Sequence, residues 1–359
     1  MLFFKFIKFL SITFFFFIIL IAPFYNKKIY SDKSFIHKNF AGNYFSNNIK
    51  EKIKKKSFNK IIQKNIHEIK NGNKTTISVS YATDEKYSYP TIVSMTSLVY
   101  NADNDTFYNI YILHPPDFTE KSKAFLFTVQ EKYSDRCSII FFNMEDKYKD
   151  LSFSKKFSTP VYYRLSLPEI LPDLDKIIYL DSDTLVFEDL KELIQINMEG
   201  NVIMGFLDSS PYVLKDFGFE NATVLNSGVL LMNLDYLRKY NYIQKIEDFI
   251  DKNKNRLYQE DQTIINVVMQ DRIAPLPPKY GIWAIYSKQE KKEFLDRQLP
   301  HLKYKEEDFL YASEHPAILH FIWPKPFWKL YTIFYNKWWD YAKLTGFFWE
   351  IYAKSPIQK

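Results

Sequence analysis

The sequence predicts an α/β fold with a mainly parallel, Rossmann-like central sheet, preceded by an N-terminal membrane helix. Three observations carry this expectation. From Thr75 onward, short runs rich in Ile, Val, Tyr and Phe alternate with longer segments of helical periodicity. The 359 residues, 47% of them hydrophobic, suffice to bury one large core and leave appendages. Met1 to Phe24 is almost continuously apolar.

Taken in order, the uncharged run from Phe9 to Tyr25 is near the lower length for a spanning helix, and Lys5 and Lys8 can snorkel beside it. The bulky Ile21-Ala22-Pro23-Phe24-Tyr25 provides no small-x-small cleavage site, so residues 1–25 are expected to be a retained anchor or an uncleaved signal. Residues 26–74 read as a Lys/Asn-rich tether. The excess of lysine downstream of the apolar run favours a single-pass protein with its catalytic domain in the cytoplasm. Strands are expected at Ile77–Tyr81, Asn109–Leu113, Ser138–Phe142 and Lys176–Leu180. Helices are expected at Pro90–Tyr100, Thr119–Tyr133 and Val161–Leu171. This alternation makes a mainly parallel sheet, with ligands at the carboxyl ends of its strands. Residues 329–359 form an aromatic and basic tail containing Trp338-Trp339 and Phe347-Phe348-Trp349. That composition suits an interfacial membrane helix, and equally suits aromatics packed on the domain.

Composition excludes some classes. The single cysteine, Cys137, rules out an intramolecular disulfide and lies in an apolar run that reads as a buried strand. The net charge of +6 owes much to seven lysines between Lys50 and Lys64, without the arginines and stacking aromatics of a nucleic-acid domain. No nucleic-acid partner is expected; a juxtamembrane basic segment is the functional alternative to a solvated helix face.

The chemistry centres on Asp181-Ser182-Asp183, which follows the apolar run Ile177–Leu180. In an extended strand, side chains at i and i+2 face one way, so the two carboxylates would meet at one spot. Like charges that close raise each other's pKa unless a cation lies between them. Mn²⁺ or Mg²⁺ would suit such oxygen ligands. A turn whose oxygens cap a helix is the plain alternative. An EF-hand would need an oxygen ligand and glycine where Leu185 and Val186 stand. A phosphohydrolase with an Asp-x-Asp motif would place Thr or Val at Leu185, near the start of its domain.

Five motifs recur in order between Thr75 and Trp328. They are Tyr81-Ala82-Thr83-Asp84-Glu85-Lys86-Tyr87, Tyr162-Tyr163-Arg164-Leu165 ahead of the Asp pair, Asn226-Ser227-Gly228-Val229, Glu260-Asp261-Gln262, and His320-Phe321-Ile322-Trp323-Pro324-Lys325-Pro326. On these motifs the chain resembles the retaining glycosyltransferases of family 8, the class of glycogenin and of the lipopolysaccharide galactosyl- and glucosyltransferases. The resemblance implies a GT-A-type nucleotide-sugar-binding domain at residues 75–328. It implies transfer of a hexose, glucose or galactose, from a UDP-sugar to a glycan hydroxyl, with lipopolysaccharide or another cell-surface glycan, lipid-linked or free, as acceptor. It also implies membrane contact through the tail.

The resemblance further assigns roles. Asp181, Asp183 and His320 would ligate Mn²⁺ or Mg²⁺. Ala82, Thr83 and Asp84 would meet uracil and ribose with Tyr87 stacked on the base, and Ser182, Gly228 and Lys325 would complete the donor site, Lys325 at the diphosphate. Arg164, Asn226, Asp261 and Gln262 would serve sugar recognition and catalysis, with Gln262 facing the developing cation. Structural readings stand beside these. Asp84 suits a turn cap and Tyr87 a core site; Arg164 suits an ion pair with Asp261 or Asp183; Asp261 suits a helix N-terminus. The sequence departs from the family where Trp323 replaces the usual Gly and the stretch to Lys325 is one residue short. That departure motivates one alternative, a catalytically impaired relative that binds glycans; the Asp-x-Asp phosphohydrolase is the other.

Overall fold

The computed structural model describes residues 74–151, 158–208, 211–220, 222–284, 303–322, 325–328 and 334–356. All lie within one compact unit, Lys70–Lys359. The elements run β1 (Thr75–Ala82), α1 (Ser88–Tyr100), β2 (Thr106–His114), α2 (Glu120–Lys132) and β3 (Cys137–Asn143). Then come α3 (Leu167–Ile170), β4 (Lys176–Leu180), β5 (Thr184–Val186), α4 (Lys191–Gln195), β6 (Ile203–Leu207) and β7 (Leu225–Asn233). The chain continues through α5 (Leu234–Lys239), α6 (Tyr242–Asn253), α7 (Glu260–Val268), β8 (Ile273–Pro275), β9 (Tyr280–Trp283), α8 (Glu306–Glu314) and β10 (Ile318–His320). It closes with α9 (Tyr335–Leu344) and α10 (Phe348–Lys354).

Seven strands form the main sheet in the order β3-β2-β1-β4-β7-β6-β8. The pairs from β3 through β4 are parallel, β7 runs antiparallel to both β4 and β6, and β8 is parallel to β6. The mainly parallel α/β architecture is therefore present. β5, β10 and β9 form a second, three-stranded sheet. The short link from β4 to β5 carries the chain from one sheet to the other, and Asp181, Ser182 and Asp183 occupy it.

The parallel strands are buried nearly throughout; β2 reads as an apolar run and β1 as one broken by serines. Cys137 opens β3 as a buried thiol whose pKa burial pushes up to about 12. α1 is buried almost all round, because β5 and α2 cover it on some sides and α9 on another. Segment 161–171 departs from the expected helix: Thr159–Ser166 is 3₁₀ and α3 spans four residues. Pro168 supplies a reason, since it lacks an N–H where a continuous helix would need a donor.

Two expectations about membranes need correction. No helix among the described residues is long and apolar enough to cross a bilayer, so the single-pass anchor, and the cytoplasmic placement built on it, are not supported. Each of the longest described helices, α1 and α2, has 13 residues. At 1.5 Å per residue they fall well short of a hydrocarbon core of about 30 Å. The segment assigned to the anchor, residues 1–25, and the tether through residue 73 lie outside the described residues. In the tail, Trp338 and Trp339 are core side chains rather than interfacial ones: α9 lays them against Phe327, Phe348 and Tyr352. Trp349 is the large tail aromatic left 65% exposed.

Candidate active site

Asp181 and Asp183 converge through a turn, not through strand alternation. The Asp181 N–H donates to the Gly228 carbonyl at 2.8 Å, which finishes the pairing of β4 with β7. The Thr184 N–H and Oγ1 then both donate to the Asp181 carbonyl, at 3.2 and 2.9 Å, and fold the link back. β10 brings the third group: it pairs antiparallel with β5, setting His320 opposite Thr184. Nε2 of His320 lies 3.2 Å from Asp183 Oδ1 and 3.6 Å from Asp181 Oδ2.

The three side chains fit a metal ion on two counts. One ligand atom from each lies within 4.8 Å of the others. Asp183 Oδ1 is buried and makes no well-aligned hydrogen bond, which is costly unless something else satisfies it. Two carboxylates and an imidazole form a donor set suited to Mn²⁺. Gly228 makes room for the imidazole, since a Cβ there would stand 2.0 Å from His320 Cε1. Burial would raise the Asp183 pKa, but the Lys325 ammonium and His320 outweigh it and hold the carboxyl well below its ordinary range.

Beneath the cluster Arg164, 2% exposed, joins Asp181 to Asp261. Its Nη2 donates to Asp181 Oδ1 at 2.9 Å, its Nε lies 3.1 Å from Asp261 Oδ2, and its Nη1 donates to the Ser227 carbonyl. The guanidinium stacks on the Tyr179 ring at 4.0 Å. Burial opposes its charge, yet the two carboxylates more than compensate and keep it cationic. One cation shared by two anions under-serves the more buried partner. Burial, with the charge of Asp181 adding to it, pushes Asp261 up to about 7. Arg164 is thus the structural ion pair foreseen with Asp261, but its second partner is Asp181 rather than Asp183.

Gln262 is locked at the opening of α7. Its Oε1 accepts from the Ser227 N–H at 3.1 Å and from Asn226 Nδ2 at 3.2 Å, and its Nε2 donates to Asp208 Oδ2 at 3.0 Å. Asn226 Oδ1 accepts from the Gly228 N–H at 3.0 Å, so both amides brace the strand that lies under His320.

The loop after β1 forms the opposite wall. Asp84 Oδ1 accepts the Tyr87 N–H at 2.9 Å, a turn cap. Thr83 points inward to Thr91 Oγ1 at 2.8 Å. Ser182 does the same, accepting from Thr91 at 2.8 Å and donating to the Ala82 carbonyl at 3.1 Å. The hydroxyls of Thr83 and Ser182 therefore hold the two loops together. Tyr87 packs against Trp328 with centroids 5.1 Å apart. Lys325 donates to the Tyr87 hydroxyl at 3.3 Å and pairs with Asp183. Burial works against the Lys325 charge, but Asp183 holds its pKa above the ordinary lysine value. Trp323, the departure from the family pattern, lies outside the described residues.

Sequence reading missed Asp208, Tyr179 and Thr91. Asp208 follows an apolar strand, as Asp181 does, and that position was a usable signal. Tyr179 donates to Asp181 Oδ1 at 3.1 Å from inside β4, and nothing local distinguishes it from a core tyrosine.

This fold, with an acidic, histidine-completed site at a strand end, fits a glycosyltransferase. The chain belongs to glycosyl transferase family 8, whose model matches residues 78–330. It is 28% identical over 200 residues to a Streptococcus gordonii protein described as probable glycosyl transferase Gly, covering 54% of this chain but 26% of that one. It is 27% identical over 248 residues to an Escherichia coli lipopolysaccharide 1,2-glucosyltransferase, covering 66% of this chain and 71% of the relative. In fold it is similar to the galactosyltransferase LgtC, solved with donor and acceptor sugar analogs, at a TM-score of 0.60 and 19% identity. That likeness covers 75% of this chain and 95% of LgtC.

Proposed function

We propose that this glycosyltransferase moves a hexose, glucose or galactose, from a UDP-sugar to a hydroxyl of a cell-surface glycan such as lipopolysaccharide, with retention of configuration and dependence on a divalent metal. The observation that carries the reading is the convergence of Asp181, Asp183 and His320 at the carboxyl end of β4. The lipopolysaccharide acceptor rests on the Escherichia coli relative. A lipid-linked acceptor belongs to the same reading.

Asp181, Asp183 and His320 would hold Mn²⁺ or Mg²⁺, which when bound supplies positive charge to the leaving diphosphate. Lys325 carries a second positive charge beside Asp183 and complements the same diphosphate. Arg164 offsets Asp181 from below and keeps the carboxylate turn in place. Gln262 and Asn226, pinned by their mutual bond, present a fixed amide wall to the sugar, with Asp208 behind. In the reaction the acceptor oxygen bonds to the anomeric carbon as the bond to the phosphate oxygen breaks. Attack on the face from which the phosphate leaves preserves configuration, and the acceptor proton passes to that phosphate.

A panel of UDP-sugars, assayed for hydrolysis and transfer with Mn²⁺ and with chelator, tests this. Turnover of UDP-glucose or UDP-galactose that chelator abolishes is the expected outcome. Tight glycan binding without turnover of any nucleotide-sugar would favour the impaired relative that Trp323 motivates. Family membership sets the phosphohydrolase aside.

A further inference from the structure

Residues 334–356 lie beyond the stretch matched by the family model, yet they reach back to the turn that carries Lys325. Ser355, 2% exposed, donates its hydroxyl hydrogen to the Phe327 carbonyl. Its own N–H is fixed on the Ile351 and Tyr352 carbonyls at 3.0 and 3.2 Å. The Phe327 ring, on a residue 4% exposed, stacks on Tyr89 of α1 with centroids 6.0 Å apart and planes 7° from parallel. Trp338 of α9 lies against that ring at 6.0 Å. Tyr89 in turn donates to Glu350 of α10 at 3.4 Å. The Trp328 N–H closes the turn on the Lys325 carbonyl at 2.9 Å, and the Trp328 indole meets Tyr87 on the site side.

We propose that Ser355 is a positioning residue for Lys325, and that α9 and α10 form a clasp holding the diphosphate-facing turn from behind. The inference rests on the reading of Lys325 given above. Without the hydroxyl, the buried Phe327 carbonyl loses a donor, and the turn relaxes toward solvent. On this proposal the effect reaches the donor through the turn, by way of Lys325.

UDP affinity, measured by calorimetry in Mn²⁺, tests the clasp without recourse to turnover. Ser355→Ala should weaken UDP about tenfold, the loss of roughly one hydrogen bond's worth of order. Lys325→Ala should weaken it at least as much. The double variant should match Lys325→Ala alone, because both changes remove the same contribution. Additive losses would overturn the proposal. Normal affinity in Ser355→Ala beside weakened Lys325→Ala would overturn the clasp and leave the proposed function standing. Normal affinity in Lys325→Ala would overturn the diphosphate reading and the clasp together. Should Ser355→Ala not fold, Ser355→Cys makes the same comparison with the space filled and a weaker donor.

Discussion

At Gly228 a missing methyl group sets the geometry of the Asp181–Asp183–His320 cluster. A Cβ there would meet His320 Cε1 at 2.0 Å and both ring nitrogens at 2.7 Å. Gly228 is not among the glycines with positive φ, so alanine is compatible with its backbone and the cost falls on the imidazole. Gly228→Ala should therefore reduce Mn²⁺ affinity by more than about tenfold, as expected when a ligand is displaced, while leaving the far-UV spectrum unchanged. Calorimetric Mn²⁺ titration of a folded variant with normal affinity would remove His320 from the cluster. The Asp pair was legible in the sequence because two charges closing an apolar run demand an explanation. Gly228 was legible as a point of close approach. What approaches it was not, because His320 arrives by a strand pairing that no local spacing encodes.

At the scale of elements, the two walls of the site are tied through α1. Thr91 Oγ1 lies 2.8 Å from Thr83 Oγ1, 2.8 Å from Ser182 Oγ and 2.7 Å from the Tyr87 carbonyl. One buried hydroxyl thus links the loop after β1 to the carboxylate turn. Thr91→Val keeps the shape and removes every one of these bonds, leaving their partners buried. It should raise the KM for donor about tenfold or more, with Thr91→Ser restoring most of the loss. Equal kinetics for Val and Ser would show that the hydroxyl carries nothing. Strands β1 to β4 were readable because parallel strands covered on both faces are largely apolar. The helix expected over 161–171 failed for a local reason, Pro168, visible in the sequence but outweighed by the apolar pattern. In the tail, aromatics and lysines describe a membrane-facing helix and a core-facing one alike. The packing of Trp338 on Phe327, a tertiary fact, decides between them.

For the whole molecule, stability should carry the signature of Asp261. Its pKa stands at about 7 in the folded protein against an ordinary 3.8. The folded state therefore retains a proton that the unfolded chain releases, and stability falls as pH rises through that window. Asp261→Asn cannot titrate. The melting temperature of the wild type relative to this variant should decline between about pH 4 and pH 7. A difference that is flat or rises over that range would place the Asp261 carboxylate fully in the keeping of Arg164. The path of the chain between two sheets has a consequence for synthesis. Asp181 and Asp183 emerge from the ribosome long before His320, and β5 has no β10 to pair with until then. The main sheet can assemble while the Asp181–Asp183 pair still lacks His320. On the proposed function, ion capture would then mark a finished chain, and a nascent or prematurely ended one would hold the ion weakly and remain silent toward the donor pool.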